Sequence, residues 1–437
     1  MVDRLFWRAG FGPSEADRSA WVGKRWVQLV DHLTAAPNEI GPGVDPTYSG
    51  APIDPTVSDT QLAMEWLNRM VRATNPLAER LTFFWSRHWA ISTDDGVTQD
   101  YAYQYAQMLR RYGDLGRYPD ASYRNLTYEV SESPAMLRYL NGYRNQKAKP
   151  DENYGREFLE LFCLGITDAA GNPNYTEADV AGMARSFTGW VIDTADPANP
   201  RGRLDPARFD TGQKTILGAT GPFTSRSAAD VVLANAKHAP FLVRKLWHEF
   251  IVAEPDDRTV AQLVAVYTAG GALAIRPLVR RILLDPAIFE SLSEPNMIKP
   301  PVVYAAGVVR TTGAPIRDTW QTASLSRMGQ LPYNPPNVAG WEGGLSWMST
   351  NAVQARFDFV IRCLHLLPAL PDITGETAGA AFDRAWRAVG RPWLSAASRS
   401  ELLAVAAKAP AATPGQRLGR QNALRALILG GPDGQVM

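Results

Sequence analysis

Two glutamates three residues apart, Glu157 and Glu160, are the strongest candidates for chemistry in this sequence, and Arg156 precedes them. Two carboxyl groups can divide acid and base roles when their surroundings push their pKa values apart. On a helix, Glu157 borders the apolar Leu161 and Leu164, whereas Glu160 lies one turn after Arg156. This asymmetry predicts a raised pKa for Glu157 and an ionised Glu160.

The same residues also fit a structural role. Residues 154–164 are predicted to form a helix, because Asp151 favours an N-cap and Gly165 favours a stop. The helix is apolar nearly all round, which is typical of a buried helix, and a buried carboxylate must be paired, protonated or metal-bound. Two roles remain open at this point: a structural ion pair between Arg156 and Glu160, and a polar site whose floor these residues form.

His88 lies in a run, residues 81–89, that is too apolar for a surface helix. We therefore expect a buried or cleft-facing side chain, either a satisfied core histidine or a functional group. Two cysteines and five histidines are too few for a Cys-rich zinc site or a multi-histidine site. A carboxylate-rich site for a divalent metal remains open, with Glu157, Glu160, Asp210 and His88 as the candidate ligands.

Two irregular segments carry further polar candidates. Asp210 and Lys214 flank Gly212 in one loop, which fits a turn held by the aspartate or a loop that binds substrate or metal. Asn337 and Trp341 follow a Pro-Pro pair in the other segment. They fit a wall for stacking and hydrogen bonding, and equally a rigid loop that covers the core.

Several functional classes are disfavoured by the sequence. Glycine-rich nucleotide-binding turns, His-Glu-x-x-His and Gly-x-Ser-x-Gly are absent, so we expect no nucleotide or organic cofactor. The net charge of +1 argues against a nucleic-acid partner. No apolar run reaches the length of a membrane span or a signal peptide. We therefore expect a cytoplasmic chain, with export on a partner as the alternative.

The elements that carry these residues are predicted to be helices. Helical periodicity and capping signals recur along the chain. They predict a mainly α, bundle-like array of many helices with at most a short β-hairpin. We expect a single domain over residues 1–437, in which 37–59 and 191–226 are long loops and 351–437 is a C-terminal helical subregion.

The chain resembles, over nearly its whole length, a bacterial family known as domain of unknown function 1800. The resemblance rests on the order and spacing of matching segments: Arg8-Ala9-Gly10-Phe11-Gly12-Pro13, residues 81–85, 134–140, Glu152-Asn153-Tyr154-x-Arg156-Glu157-x-x-Glu160-Leu161, Tyr175-Thr176-x-x-Asp179-Val180, Ala184-Arg185, Thr188-Gly189-Trp190, Asp210-x-Gly-x-Lys214-Thr215, Met328-Gly329-Gln330 and Pro335-Pro336-Asn337-Val338-x-Gly340-Trp341.

The resemblance implies a mostly helical fold and brings no established activity. Family members are often encoded beside a second uncharacterised family that resembles alkaline phosphatases and sulfatases, which implies a protein partner. This chain departs from the family pattern at two places: Ser86 stands where a first histidine precedes His88, and Phe209 stands where a histidine precedes Asp210. Both departures weaken the case for a metal ion bound by histidines in this chain.

Two functional hypotheses follow. The first is an enzyme that uses Glu157, Glu160, His88 and Asp210 in acid/base or metal-assisted hydrolysis or elimination of a polar, glycan-like substrate. The second is a non-catalytic binding or adaptor protein for the co-encoded hydrolase-like partner. Polar and aromatic residues of the matching segments form the predicted substrate-binding set: Asn153, Tyr154, Arg156, Arg185, Lys214, Gln330, Asn337 and Trp341.

Overall fold

The computed structural model describes residues 1–197, 199–290 and 295–437. Within these ranges the fold is mainly α, as predicted. One cluster of buried apolar side chains includes residues from both ends of the chain, from Leu5 to Met437. The division of the chain into domains stays a prediction.

The first half of the chain is a succession of short helices. Their bounds are α1 Val2–Arg8, α2 Glu15–Trp21, α3 Trp26–Ala35, α4 Asp59–Arg72, α5 Pro76–His88, α6 Gln99–Gly113, α7 Tyr123–Glu132, α8 Pro134–Tyr139, α9 Asn153–Glu157 and α10 Glu177–Ser186. A π-helical turn, Phe158–Cys163, follows α9 directly.

The second half continues in the same way. Its helices are α11 Ser225–Leu233, α12 His238–Phe250, α13 Asp257–Thr268, α14 Ile275–Leu283, α15 Pro301–Thr312, α16 Trp320–Arg327, α17 Thr350–His365, α18 Ala378–Ala388, α19 Ala396–Lys408 and α20 Pro414–Gly430. Short 3-10 turns lie at Gly142–Arg144, Ala269–Gly271, Pro286–Phe289, Gly344–Met348 and Pro432–Gln435.

The structure has three two-stranded antiparallel sheets where the sequence predicted at most one hairpin. They pair β1 Thr47–Tyr48 with β2 Ala51–Pro52, β3 Trp190–Asp193 with β4 Arg201–Leu204, and β5 Lys214–Ile216 with β6 Ala219–Gly221. Two of them turn through consecutive residues with positive φ, Ser49-Gly50 and Leu217-Gly218. That is the geometry of a tight hairpin, so parts of both predicted loops, 37–59 and 191–226, are ordered as strands.

Helix α5 is buried along almost its whole length, as its apolar run predicts. It nevertheless carries two buried charges. Arg80 Nε donates to Glu249 of α12 at 2.6 Å, and Glu79 accepts from Arg110 of α6 at 3.2 Å. Arg87, at the end of α5, also pairs with Glu249. These pairings offset the high cost of burying an isolated charge.

Gly155 sets the spacing between α9 and α10. A Cβ at this position would lie 2.9 Å from the backbone nitrogen of Ala184 and 3.2 Å from the Met183 Cβ. We expect Gly155→Ala to lower the free energy of unfolding by about 1–3 kcal/mol, because backbone must move to admit the methyl group.

The matched control is Gly419→Ala on the exposed side of α20, where an added Cβ would meet no atom within 4 Å. This change is expected to raise stability by about 0.5–1 kcal/mol, since alanine favours a helix interior. Urea unfolding followed by circular dichroism measures both variants. Equal stability of the two variants would contradict the close packing of α9 on α10.

Candidate functional site at the π turn

The segment predicted as one regular helix consists of α9 and a π turn. Leu164 N donates to Leu159 O at 2.9 Å, five residues back, and Gly165 ends the segment at φ 79°. π turns are rare and frequently lie at functional sites. The wider turn changes the angle between successive side chains, so helical spacing no longer gives the neighbours of Glu160 correctly.

The last carbonyl groups of the π turn are bound by side chains from other parts of the chain. The donors are Lys245 to Leu161 O (2.8 Å), Tyr123 to Phe162 O (2.6 Å), His238 to Cys163 O (3.0 Å) and Asn174 to Leu164 O (2.9 Å). The final carbonyls of any helix lack a partner within the helix. These four side chains therefore stabilise the π turn and hold it in place.

His88 belongs to this structural cluster. Its Nε2 lies 2.7 Å from the Tyr123 hydroxyl and 3.2 Å from Phe162 O, and its ring stacks on Phe84. Burial lowers the pKa of His88 well below its ordinary value, so the imidazole is neutral. The structure places this predicted catalytic residue beneath the π turn, where it positions Tyr123.

His238 makes the stability of the folded protein depend on pH. Its Nδ1 donates to Cys163 O and its Nε2 accepts from the Tyr267 hydroxyl at 3.0 Å. Burial lowers the pKa of His238 to about 4. The unfolded chain binds a proton here below pH ~6.5 while the folded chain does not, so stability falls as the pH drops from about 6.5 to 4.

We expect this one histidine to account for a loss of about 3 kcal/mol between pH 7 and pH 4. His238→Gln keeps a donor for Cys163 O and should remove that part of the acid sensitivity. Urea unfolding at the two pH values measures it, with His365→Gln on the exposed side of α17 as the control. An unchanged pH dependence in His238→Gln would show that the imidazole is not held neutral.

Glu157 and Glu160 lie next to each other at the start of the π turn. Burial, followed by the charge of Glu160, raises the pKa of the half-buried Glu157, while Arg156 acts in the opposite direction. This is the direction that the sequence predicted. The Tyr175 hydroxyl donates to Glu160 Oε2 at 2.9 Å. Burial and this contact raise the pKa of Tyr175 to about 12, so the phenol remains a donor at neutral pH.

The ion pair between Arg156 and Glu160, one of the two alternatives that the sequence left open, does not form. Arg156 binds Glu177 at the start of α10 through two nitrogens, at 2.7 and 2.8 Å, and Glu152 at 3.3 Å. The π turn moves Glu160 away from the position one α-helical turn after Arg156, and Glu177 offers a bidentate partner instead. Glu160 is left facing Tyr175.

A turn at residues 93–96 contacts the Pro-rich segment, because Asp94 accepts from Asn334 Nδ2 at 2.7 Å. Burial raises the pKa of Tyr139 to about 12, and the charges of Asp95 and Glu157 act in the same direction. The turn is therefore joined directly to the segment that carries Asn337 and Trp341.

Asn337 and Trp341 border a cavity of about 510 Å³. Asn337 Oδ1 accepts from Ala339 N at 2.9 Å, which leaves its exposed amide group toward solvent. The wall includes Met328, Pro336, Asn337, Trp341, Trp347 and Ser349. Two tryptophans and an amide suit a polar ligand with a flat apolar face.

The polar side chains of the Asp210 loop are already hydrogen-bonded within the protein. Asp210 binds Arg185 Nε at 2.7 Å and accepts from Gly212 N at 2.8 Å, and the Arg185 contact lowers the pKa of Asp210. Lys214 is buried, and its Nζ donates to three backbone carbonyls, at Asp210, Gly212 and Phe223. This geometry matches a turn held by the aspartate.

The remaining predicted binding residues are dispersed. Tyr154 is buried with its hydroxyl 2.6 Å from Ser131 Oγ, and Gln330 is buried with its Oε1 accepting from Val302 N at 3.1 Å. Asn153 is exposed near the start of α9. Sequence reasoning did not single out Tyr139, Asp95 or Trp347. Asp95 and Tyr139 are separated from Glu157 by intervening elements, whereas Trp347 follows Trp341 closely and could have been found from that spacing.

The four candidate metal ligands do not form one donor set. Within residues 1–197, 199–290 and 295–437, no three His, Cys, Asp or Glu side chains are grouped so that they could hold a metal ion. His88 lies under the π turn and Asp210 lies with Arg185, apart from the two glutamates. These four residues therefore do not fit a bound metal ion.

The fold and the glutamate pair define a mainly α protein with a carboxylate-bearing π turn. The family described as "Protein of unknown function (DUF1800)" matches residues 4–436, almost the whole chain, and the protein belongs to that family. No curated protein and no solved structure matches the chain. In the part of the chain that the structure describes, no helix has both the length and the apolar character that crossing a membrane requires.

Proposed function

We propose that this protein is an enzyme in which Glu157 and Glu160 carry out acid/base chemistry, either hydrolysis or elimination. The observation that carries the proposal is the half-buried Glu157 beside Glu160, with its pKa raised by burial and by that neighbour. A carboxyl group whose neutral form is favoured can deliver a proton to a leaving oxygen.

In this proposal the two glutamates have different roles. Glu157 is the proton donor. Glu160, oriented by the Tyr175 hydroxyl, is the carboxylate that accepts a proton from water or from the substrate. His88, Lys214 and Asp210 have structural hydrogen bonds instead, so the proposed catalytic set is narrower than the one predicted from the sequence.

The proposed substrate is polar and glycan-like. The cavity beside Trp341 and Trp347 offers aromatic faces together with the amide of Asn337. The segment that carries this cavity also contacts the 93–96 turn, through Asn334 and Asp94. In this proposal a substrate several units long binds in the cavity and extends to the glutamates. No metal or organic cofactor enters this mechanism.

The experiment is a screen of neutral and uronate-containing polysaccharides. New reducing ends report hydrolysis, and ultraviolet absorbance of unsaturated products reports elimination. Turnover by the wild-type protein and by Glu152→Gln, but not by Glu157→Gln, would support the proposal. Glu152 is the matched control because it is an exposed glutamate at the start of α9.

A second candidate function, an adaptor for the co-encoded hydrolase-like partner, is favoured by one observation. Three of the buried carboxylates are paired with arginines: Glu79 with Arg110, Glu249 with Arg80, and Asp114 with Arg117. A binding protein without a catalytic carboxylate predicts this pattern. In this second candidate function the chain could be exported together with its partner. Co-expression and co-purification with the partner test the adaptor function, and the absence of a complex would contradict it.

A further inference from the structure

A second cavity, of about 380 Å³, lies where α1 meets the C-terminal helices. Three tryptophans line it: Trp7 of α1, Trp386 of α18 and Trp393 of the following loop. Lys299, Arg391 and Arg399 also line it, together with two carboxylates that already have partners: Asp3 pairs with Arg18, and Asp433 accepts from Ser395 N. Neither glutamate of the proposed catalytic pair takes part in this cavity, so its chemistry is a separate question.

Lys299 is a buried cation without a carboxylate partner. Its side chain is 5% exposed, and its Nζ donates to Gly434 O at 2.8 Å and lies 3.9 Å from the centre of the Trp7 ring. Among the described residues it makes no ion pair. A second buried cation, Arg356, lies beside Lys299 and donates to its backbone oxygen at 2.8 Å.

The two buried cations have a physical cost. Removing a charge from water without a counter-charge is strongly unfavourable. Burial, with the charge of Arg356, lowers the pKa of Lys299 to about 7. An anionic group in the cavity would supply the missing counter-charge and keep the ammonium form.

The aromatic walls favour a flat ligand body. Gly12 and Gly307 pack so closely on the Trp7 ring that a Cβ on either would come within 2.7 Å and 2.5 Å of it, respectively. Trp7 is thus held rigidly, with Lys299 over one face. Trp393 is 36% exposed, and the exposed Arg391 makes no side-chain hydrogen bond or ion pair with the described residues.

We propose that this cavity binds a small planar organic anion, with Lys299 binding the anionic group and the tryptophans contacting the ring. Arg391 provides a second cation at the surface. A ring carboxylate and a ring phosphate share the chemistry that the cavity recognises, and the volume suits a ligand of that size. The inference does not depend on the proposed catalytic function.

The test uses benzoate and phenyl phosphate as probes in calorimetry and thermal unfolding of the full chain. Inorganic phosphate and benzyl alcohol are the controls that lack the ring and the charge, respectively. At least one ring anion should bind and raise the Tm, and the stronger of the two identifies the anionic group. Lys299→Met should weaken that binding by about 10- to 100-fold, since a hydrogen-bonded charge is lost.

Lys24→Met is the matched control, because Lys24 is an exposed lysine that also lies over a tryptophan ring, that of Trp21. It should bind the probes as the wild-type protein does. Without ligand, Lys299→Met should have a higher Tm than the wild-type protein, since methionine keeps the apolar stem and removes an unpaired charge. A purely structural lysine predicts a lower Tm.

Trp393→Ala is a second variant that does not depend on the folding of Lys299→Met. The Trp393 side chain lines the cavity and is partly exposed. Its removal should weaken binding of the ring anion, whereas the affinity for inorganic phosphate should not change. The proposal is overturned if neither ring anion binds the wild-type protein, or if Lys299→Met binds both as tightly as the wild-type protein does.

Discussion

Replacing Glu157 with glutamine is expected to lower kcat/KM on the substrate found in the polysaccharide screen by about 10²- to 10⁴-fold. Glutamine has nearly the same shape and fits the half-buried position, but it cannot transfer a proton. Folding should be retained, since burial already disfavours the charged form that the substitution removes. Circular dichroism and the Tm establish folding, and initial rates establish the loss.

The pH dependence separates this role from a structural one. A proton donor must be protonated, so the rate of the wild-type protein should fall as pH rises through the raised pKa of Glu157. Glu160→Gln removes the proposed proton acceptor and should lower kcat/KM as well. Full activity in either variant, or a wild-type rate that does not fall over this pH range, would contradict the assignment.

Glu249→Gln is expected to lower the free energy of unfolding by about 3–5 kcal/mol, the range for breaking one side of a buried ion pair. Arg80 is 1% exposed and binds Glu249 at 2.6 Å, and Arg87 binds the other carboxylate oxygen. The substitution preserves volume, so the loss reflects charge and not a cavity. Urea unfolding followed by circular dichroism measures it.

The control for Glu249 is Glu254→Gln. Glu254 is exposed and pairs with Arg244 and His248 at the surface. Surface pairs contribute about 0–1 kcal/mol, so this variant should unfold almost as the wild-type protein does. If the two variants lose the same stability, the buried charge network between α5 and α12 does not have the role assigned to it.

Much of the helical architecture could be predicted because its signals are local. Thr176 accepts from the backbone of Asp179 in a capping box at the start of α10, as the sequence indicates. The apolar run of α5 likewise predicts a buried helix, which the structure confirms. The sequence predicted at most one hairpin, because neither Ser49-Gly50 nor Leu217-Gly218 is the Asn-Gly or Asp-Gly pair that marks a two-residue hairpin turn.

The candidate site was harder to predict because its determinants are far apart in sequence. The π turn is held by Lys245 and His238, some 75 to 84 residues away from the carbonyls they bind. Residue type alone cannot reveal that His88 faces Tyr123, or that Lys214 is saturated by backbone carbonyls. By contrast, the raised pKa of Glu157 follows from burial, which the apolar composition of its segment indicates, and from the charge of Glu160 in the same segment.

The acid/base pair is tested most directly by a pH titration of Glu157, in which carbon-13 NMR reports the labelled side-chain carboxyl. Glu157→Gln assigns the signal, and Glu160→Gln removes the neighbouring charge. We expect a pKa above the ordinary range of glutamate in the wild-type protein and a lower pKa in Glu160→Gln. An ordinary pKa that is unaffected by the loss of Glu160 would contradict the acid/base pair.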